Sequence, residues 1–326
     1  ITRLLPARYR RHALFLSGLC VLLTLRYAID ALWCGQVTGL ILLCQAGALA
    51  SFAWRKKAWA GYLAGVGLLI PTVLKVGPGI LYIALLPFFF SRRDGKFTRR
   101  ALFSSVVGFA ALSVLGAPSG STLGRLWSGW WLVAGADAEY FDPTHLGSQS
   151  FKSVLARIGV TTDLLEPVWL FCAALGALGL VLFAFVPAAS SRSRGSKLEK
   201  WLGIISLGVV WNFVFMPETF KYALSGIAIC LVPLLARLGR GAADGLTQTA
   251  LIACALFMSM PSLDVVGESL ANGIQLFSLP FVALILLGAA IPRRTSRNAR
   301  LDFGSASVQP SSHRGQSSDA HYSART

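Results

Sequence analysis

Lys75 stands in the stretch Ile70-Pro71-Thr72-Val73-Leu74-Lys75-Val76-Gly77-Pro78, a lone cation at the end of an otherwise apolar run. A charge within an apolar core is costly, so it marks a functional position or reaches out to the interface. Proline on both sides reads as broken helix ends facing a polar cavity, where a cation would bind an anionic headgroup or a phosphate. The alternative is a lysine that snorkels to the outer interface and does no chemistry. Three other clusters raise the same question: Gly35-Gln36, Gly147-Ser148-Gln149-Ser150, and Met216-Pro217-Glu218-Thr219-Phe220-Lys221-Tyr222. The second leads into a short amphipathic stretch that ends at Arg157. For Arg157 and Lys221, pairing with ordinary lipid headgroups is an equal alternative. The residues offer no metal chemistry: Cys20, Cys34, Cys44, Cys172, Cys230 and Cys254 include no pair at ligand spacing and read as small, buried helix residues. Neither a metal nor another cofactor is expected.

The elements that carry these residues are apolar helices. Hydrophobic residues make up 55% of the chain, charged residues only 13%, and the mean hydropathy is +0.63. Soluble domains carry nearer a quarter charged residues, so the composition is that of a membrane protein. The net charge of +16 does not argue for nucleic acid, because no soluble face exists on which to cluster it. Apolar runs fall at roughly 13–33, 36–54, 58–77, 78–90, 101–117, 166–188, 201–216, 219–236, 247–262 and 273–291. At about 20 residues per crossing, the expected fold is an all-α, polytopic integral membrane helix bundle of about ten transmembrane helices. The weakest runs are 78–90, which is short, and 13–33, which carries Arg26 and Asp30; their spacing suggests a helical ion pair.

With the N-terminus inside and the sides alternating, 24 of the 30 Lys and Arg fall on the cytoplasmic side. The exceptions are Arg26, Lys75, Arg125, Lys152, Arg157 and Lys221. All four polar clusters then come out on one face, although far apart in sequence. The chain divides into a basic cytoplasmic segment (1–12), a transmembrane helical domain (13–291) with an outer loop at about 118–165, and a Ser-, Arg- and Gly-rich tail (292–326) expected to be disordered. Within the outer loop Trp127, Trp130 and Trp131 share one helical face, either as a helix lying in the interface or as aromatic-belt residues. The chain opens on Ile1 rather than Met and reads as an N-terminally truncated fragment of an inner (plasma) membrane protein of bacterial type.

The same clusters carry a family resemblance. Gly35-Gln36-Val37, a basic turn, Lys75, Pro78 and the basic run from Arg92 to Arg100 resemble glycosyltransferase family 87. Its members are polyprenyl-phosphate-mannose-dependent mannosyltransferases of the membrane-embedded C type. Ser148-Gln149-Ser150 with Arg157 is similar to the family's Asn-Gln-Ser element and following Arg. Met216 to Tyr222 resembles its Ser-Pro-x-Ser-Trp-x-His element. The likeness covers roughly residues 30–240. Thr38 and Ser148 stand where the family favours Asn, and Tyr222 replaces its His.

The resemblance implies inverting transfer of a sugar, mannose in this family, from a polyprenyl-phosphate donor to the hydroxyl of a lipid or glycan acceptor at the extracytoplasmic face. A carboxylate would act as general base, and fixed cations would stabilise the charge growing on the departing lipid phosphate. Lys75 is the first candidate cation, with Arg157 and Lys221 behind it. Gln36 and Gln149 would hydrogen-bond sugar or phosphate oxygens. No residue here inherits the family's first-outer-loop acid, which is expected upstream of Ile1. The polyprenyl tail and membrane lipids need only apolar grooves between helices. Two other readings remain open. Broken helices with an intramembrane Lys also suit a transporter or lipid flippase, and a non-catalytic membrane subunit is the third option.

Overall fold

Each of the ten apolar runs is largely helical over its described residues. The computed structural model describes residues 12–33, 37–74, 77–90, 94–116, 125, 128–129, 148–186, 194–216, 226–259 and 267–292, with backbone alone at 26–28, 30–33, 77, 116, 194–197 and 259. In chain order the helices are α1 (Ala13–Trp33), α2 (Thr38–Ser51), α3 (Ala58–Leu74), α4 (Leu86–Phe89), α5 (Gly95–Gly116), α6 (Phe151–Arg157), α7 (Thr162–Phe185), α8 (Arg194–Phe215), α9 (Ile227–Gly239), α10 (Gly245–Ala253), α11 (Glu268–Leu276) and α12 (Leu279–Ala290). A 3-10 stretch, Gly77–Leu85, runs into α4, and a π-helical turn, Cys254–Ser259, extends α10. There is no strand among the described residues. All these elements belong to one unit, Ile1–Arg293.

The surface is the inverse of a soluble protein's. Phe103, Val106 and Leu115 of α5, and Leu170, Phe171 and Leu182 of α7, are all more than half exposed. Contiguous exposed apolar faces of this extent require lipid. Three segments are long and apolar enough to cross a bilayer: Gly95–Leu115, Thr162–Phe185 and Leu198–Phe215. A fourth arises if α11 and α12, bent by 53° at a short break, count as one span. The remaining apolar helices have 10–17 residues, below the usual crossing length, so the number of crossings is not fixed by length alone.

Gly67 of α3 faces Cys44 and Ala48 of α2. Gly176 of α7 meets Trp211 and Phe215 of α8, whereas Gly203 of α8 meets Phe183 of α7, so these two run antiparallel. The result is a bundle with two distinct ends. At one end the turn after α2 and the start of α5 are joined by Arg55 Nε to Asp94 Oδ1 at 2.9 Å, both side chains buried. Below this pair Phe52 stacks on Trp201 with ring centroids 4.8 Å apart and planes at 13°, and Phe88 and Phe97 close the box. Arg237 reaches the last carbonyls of α12, Ala290 and Ile291, and Arg240 pairs with Glu199, so the arginines of α9 tie down the same end.

The closest helix approach is between α3 and α5. Gly61 and Gly65 are four apart on α3, the spacing that lets two backbones touch. Ser104 and Ser105 of α5 donate to the carbonyls of Tyr62 and Gly65 at 3.0 Å each. A Cβ at Gly65 would land on the Ala101 carbonyl and the Ser104 hydroxyl. Gly65→Ala is therefore expected to destabilise the chain by about 1–3 kcal/mol, as overpacking does. A thermal melt of the purified protein in detergent measures it, and an unchanged midpoint would show that these helices separate without cost.

The sequence expectations need two local corrections. Pro71 does not break a helix: α3 continues through it to Leu74, with Pro71 buried. The run 273–291, read as a single span, is instead split into α11 and α12. Pro280, in the first turn of α12, has no N–H for the preceding turn and starts a new helix. Ser278 at the break adopts φ 54°, ψ 33°.

Candidate active site

The end of the bundle opposite the Arg55–Asp94 pair is where a buried polar cluster forms. It is built on α6, whose two boundaries are written in the sequence. Ser150 is extended and its hydroxyl accepts from the Ser153 N–H, a side-chain N-cap. At the other end Gly159 takes φ +89°, with Gly159 N–H donating to Ala156 and Val160 N–H to Leu155. These two bonds form the paired left-handed stop that glycine permits.

Between the two caps sit hydroxyls that see no solvent. Ser148, Ser150 and Ser153 are fully buried and Gln149 is 1% exposed. Ser153 Oγ donates to Ser148 Oγ at 2.7 Å and lies 3.0 Å from Ser150 Oγ. Arg157, one α6 turn beyond Ser153, folds back so that Nη1 donates to the Ser148 carbonyl at 2.9 Å. Its Nη2 donates to Ser278 Oγ at 2.8 Å, across 121 residues of sequence. Both of these acceptors are neutral oxygens, one a carbonyl and one a hydroxyl. Burial pulls Arg157 below its ordinary pKa, but a guanidinium starts far enough above neutrality to stay charged.

Aromatic packing locks α6 in place. Phe151 packs edge-on against Phe215 at the end of α8 and stacks on Phe281 of α12, with centroids at 5.7 and 6.0 Å. Lys152 pairs with Glu166 of α7 at 2.5 Å and lies over the Trp169 ring at 5.2 Å. Trp169 Nε1 in turn donates to the Phe215 carbonyl at 3.1 Å. The cluster thus touches α6, α7, α8 and α12. A cation held among buried hydroxyls at a bundle end is suited to receive an anionic group such as a phosphate.

Of the five residues singled out from sequence, the structure brings together Gln149 and Arg157, both at α6. Gln36, Lys75 and Lys221 lie outside the described residues, as do Trp127, Trp130, Trp131, Tyr222 and the tail from 293; for Arg26 and Asp30 only the backbone is described. The helix ends that border the three site positions can be followed. Because α2 and α3 both meet the Phe52 end at their connecting turn, the start of α2 and the end of α3 lie away from that end. The same holds for Phe215 of α8, which packs on Phe151 two residues before the segment containing Lys221. Thr38, at the start of α2, is 6% exposed and its hydroxyl has no hydrogen-bond partner.

Sequence reasoning missed Ser278, Ser153 and the Lys152–Glu166 pair. Ser278 had one usable signal, its place two residues before Pro280 inside an apolar run, which marks a helix restart. Nothing in the spacing of residues 152 and 166 announces their contact.

The profile of Glycosyltransferase family 87 matches residues 1–217. The chain belongs to this family. Membership makes it a membrane glycosyltransferase, with a sugar donor and an acceptor as substrates. The matched span takes in α1 to α8 and therefore Gln36, Lys75, Gln149 and Arg157. Lys221, Ser278 and α9 to α12 lie beyond it. No curated protein and no solved structure matches the chain.

Proposed function

We propose that this family 87 glycosyltransferase moves a hexose, mannose, from a polyprenyl-phosphate donor to a hydroxyl of a lipid or glycan acceptor on the extracytoplasmic face of a bacterial plasma membrane. The observation that carries the proposal is Arg157, a half-buried guanidinium held by the Ser148 carbonyl and the Ser278 hydroxyl at the end of the bundle away from the basic turns. Basic turns favour the cytoplasmic side, which supports the reading that the polar end faces the outer leaflet.

In the proposed reaction the acceptor oxygen attacks the sugar C1 as the bond from C1 to the phosphate oxygen breaks. The electron pair leaves with the lipid phosphate, and a carboxylate takes the hydroxyl proton. Arg157, Lys75 and Lys221 stabilise the growing negative charge, an interaction stronger in the transition state than in the ground state. Gln36 and Gln149 hydrogen-bond the sugar or phosphate oxygens. The apolar faces between helices accommodate the polyprenyl tail.

Membranes containing the full-length protein, supplied with labelled polyprenyl-phosphate mannose, are expected to release the label from the lipid and transfer it to an acceptor. Label that crosses the bilayer still attached to its lipid would instead support a flippase. Donor that is neither cleaved nor moved would remove the polyprenyl-phosphate reading.

A further inference from the structure

Two independent features meet at Ser278. It is the one described non-glycine residue with positive φ, at 54°, in the break between α11 and α12. That backbone region is disfavoured for residues with a Cβ, and it persists only where the surroundings over-determine it, as they do at functional sites. Glycine would relieve the strain, yet the position carries a serine. Its hydroxyl, on a residue 6% exposed, accepts from Arg157 Nη2 at 2.8 Å. The bend of 53° between α11 and α12 sets where that hydroxyl lies, while Phe281, one α12 turn further on, stacks on Phe151 of α6. The break and the α6 element are therefore packed together by two contacts, one polar and one aromatic. Ser278, the bend and Phe281 lie beyond the span matched by the family profile, 1–217, whereas Arg157 and Phe151 lie within it.

We infer that the site has two parts, and that Ser278 is a positioning residue that holds the Arg157 guanidinium in the orientation needed to meet the donor phosphate. The inference rests on the reading of Arg157 as a donor-phosphate cation. With Nη1 on the Ser148 carbonyl and Nη2 on Ser278 Oγ, the guanidinium plane is pinned at two nitrogens from two elements. Removing one anchor leaves the charge in place and its direction undefined, which weakens recognition of a planar-fork ligand more than it weakens the fold.

Ser278→Gly separates these effects, because glycine accepts positive φ without strain but lacks the hydroxyl. The full-length chain in lipid nanodiscs is titrated with a polyprenyl phosphate, melted, and treated with phenylglyoxal to read the reactivity of Arg157 by peptide mass spectrometry. The expected result is a melting midpoint at or above wild type, faster Arg157 modification, and binding weakened about tenfold or more, the scale of one hydrogen bond to a charged group. Ser278→Asn, which tolerates the same backbone and restores a polar side chain, is expected to recover part of the affinity. Unchanged binding and unchanged labelling in Ser278→Gly overturn the inference, as does a loss of binding that only follows a loss of stability. If the wild-type chain binds no polyprenyl phosphate, the donor reading and the phosphate role fall together. The labelling result alone then decides whether the hydroxyl holds Arg157.

Discussion

Arg157→Ala is expected to lower sugar transfer by about 10²- to 10³-fold, the range seen when a fixed donor to a developing anion is removed. The charge opposite the departing phosphate disappears, and with it the only guanidinium in the described polar cluster. The Ser148 carbonyl and the Ser278 hydroxyl lose a shared donor at the same time. A loss of folding would mimic the effect, so the variant needs a control. Arg157→Lys keeps the charge but not the two-nitrogen fork, and it is expected to retain the melting midpoint more closely while recovering only part of the rate. Turnover of labelled polyprenyl-phosphate mannose in membranes, alongside a melt of the purified protein, reads both. Full activity in a well-folded Arg157→Ala protein would take Arg157 out of the site.

Lys75→Gln is expected to abolish transfer, a fall of about 10²-fold or more, while the protein stays in the membrane. Lys75 follows Leu74, the last residue of α3, in the sequence. A glutamine keeps length and hydrogen-bonding capacity, so the substitution removes charge and little else. The comparison with Arg157→Ala is informative because effects at a shared phosphate are non-additive. If both cations meet one anion, the double variant is expected to be scarcely worse than either alone. A multiplicative loss would indicate separate tasks. Unchanged turnover in Lys75→Gln would return that residue to ordinary snorkelling.

How much of this was legible beforehand varied with the kind of interaction. Apolar runs announced every helix but α6, because burial in lipid demands a long stretch without charge. α6 was read only as an amphipathic stretch ending at Arg157, although Ser150 and Gly159 set its two ends locally, by a capping hydroxyl and a left-handed glycine. Gln149 and Arg157 were legible as polar residues in an outer segment, and the family motifs then attached roles to them. The split between α11 and α12 was not read, since an apolar run looks the same whether it bends or not.

What the sequence determined by itself was the class of solvent and the helical elements, both of which depend on residues close together in the chain. The tertiary structure alone decided which residues face one another. Arg157 meets Ser278, Lys152 meets Glu166 and Phe52 meets Trp201 because α6, α7, α8 and α12 pack in one arrangement. Such contacts depend on helix directions and on the 53° bend. No periodicity in the chain records them, because the energy that selects them comes from packing between helices and not from the preferences of any one segment.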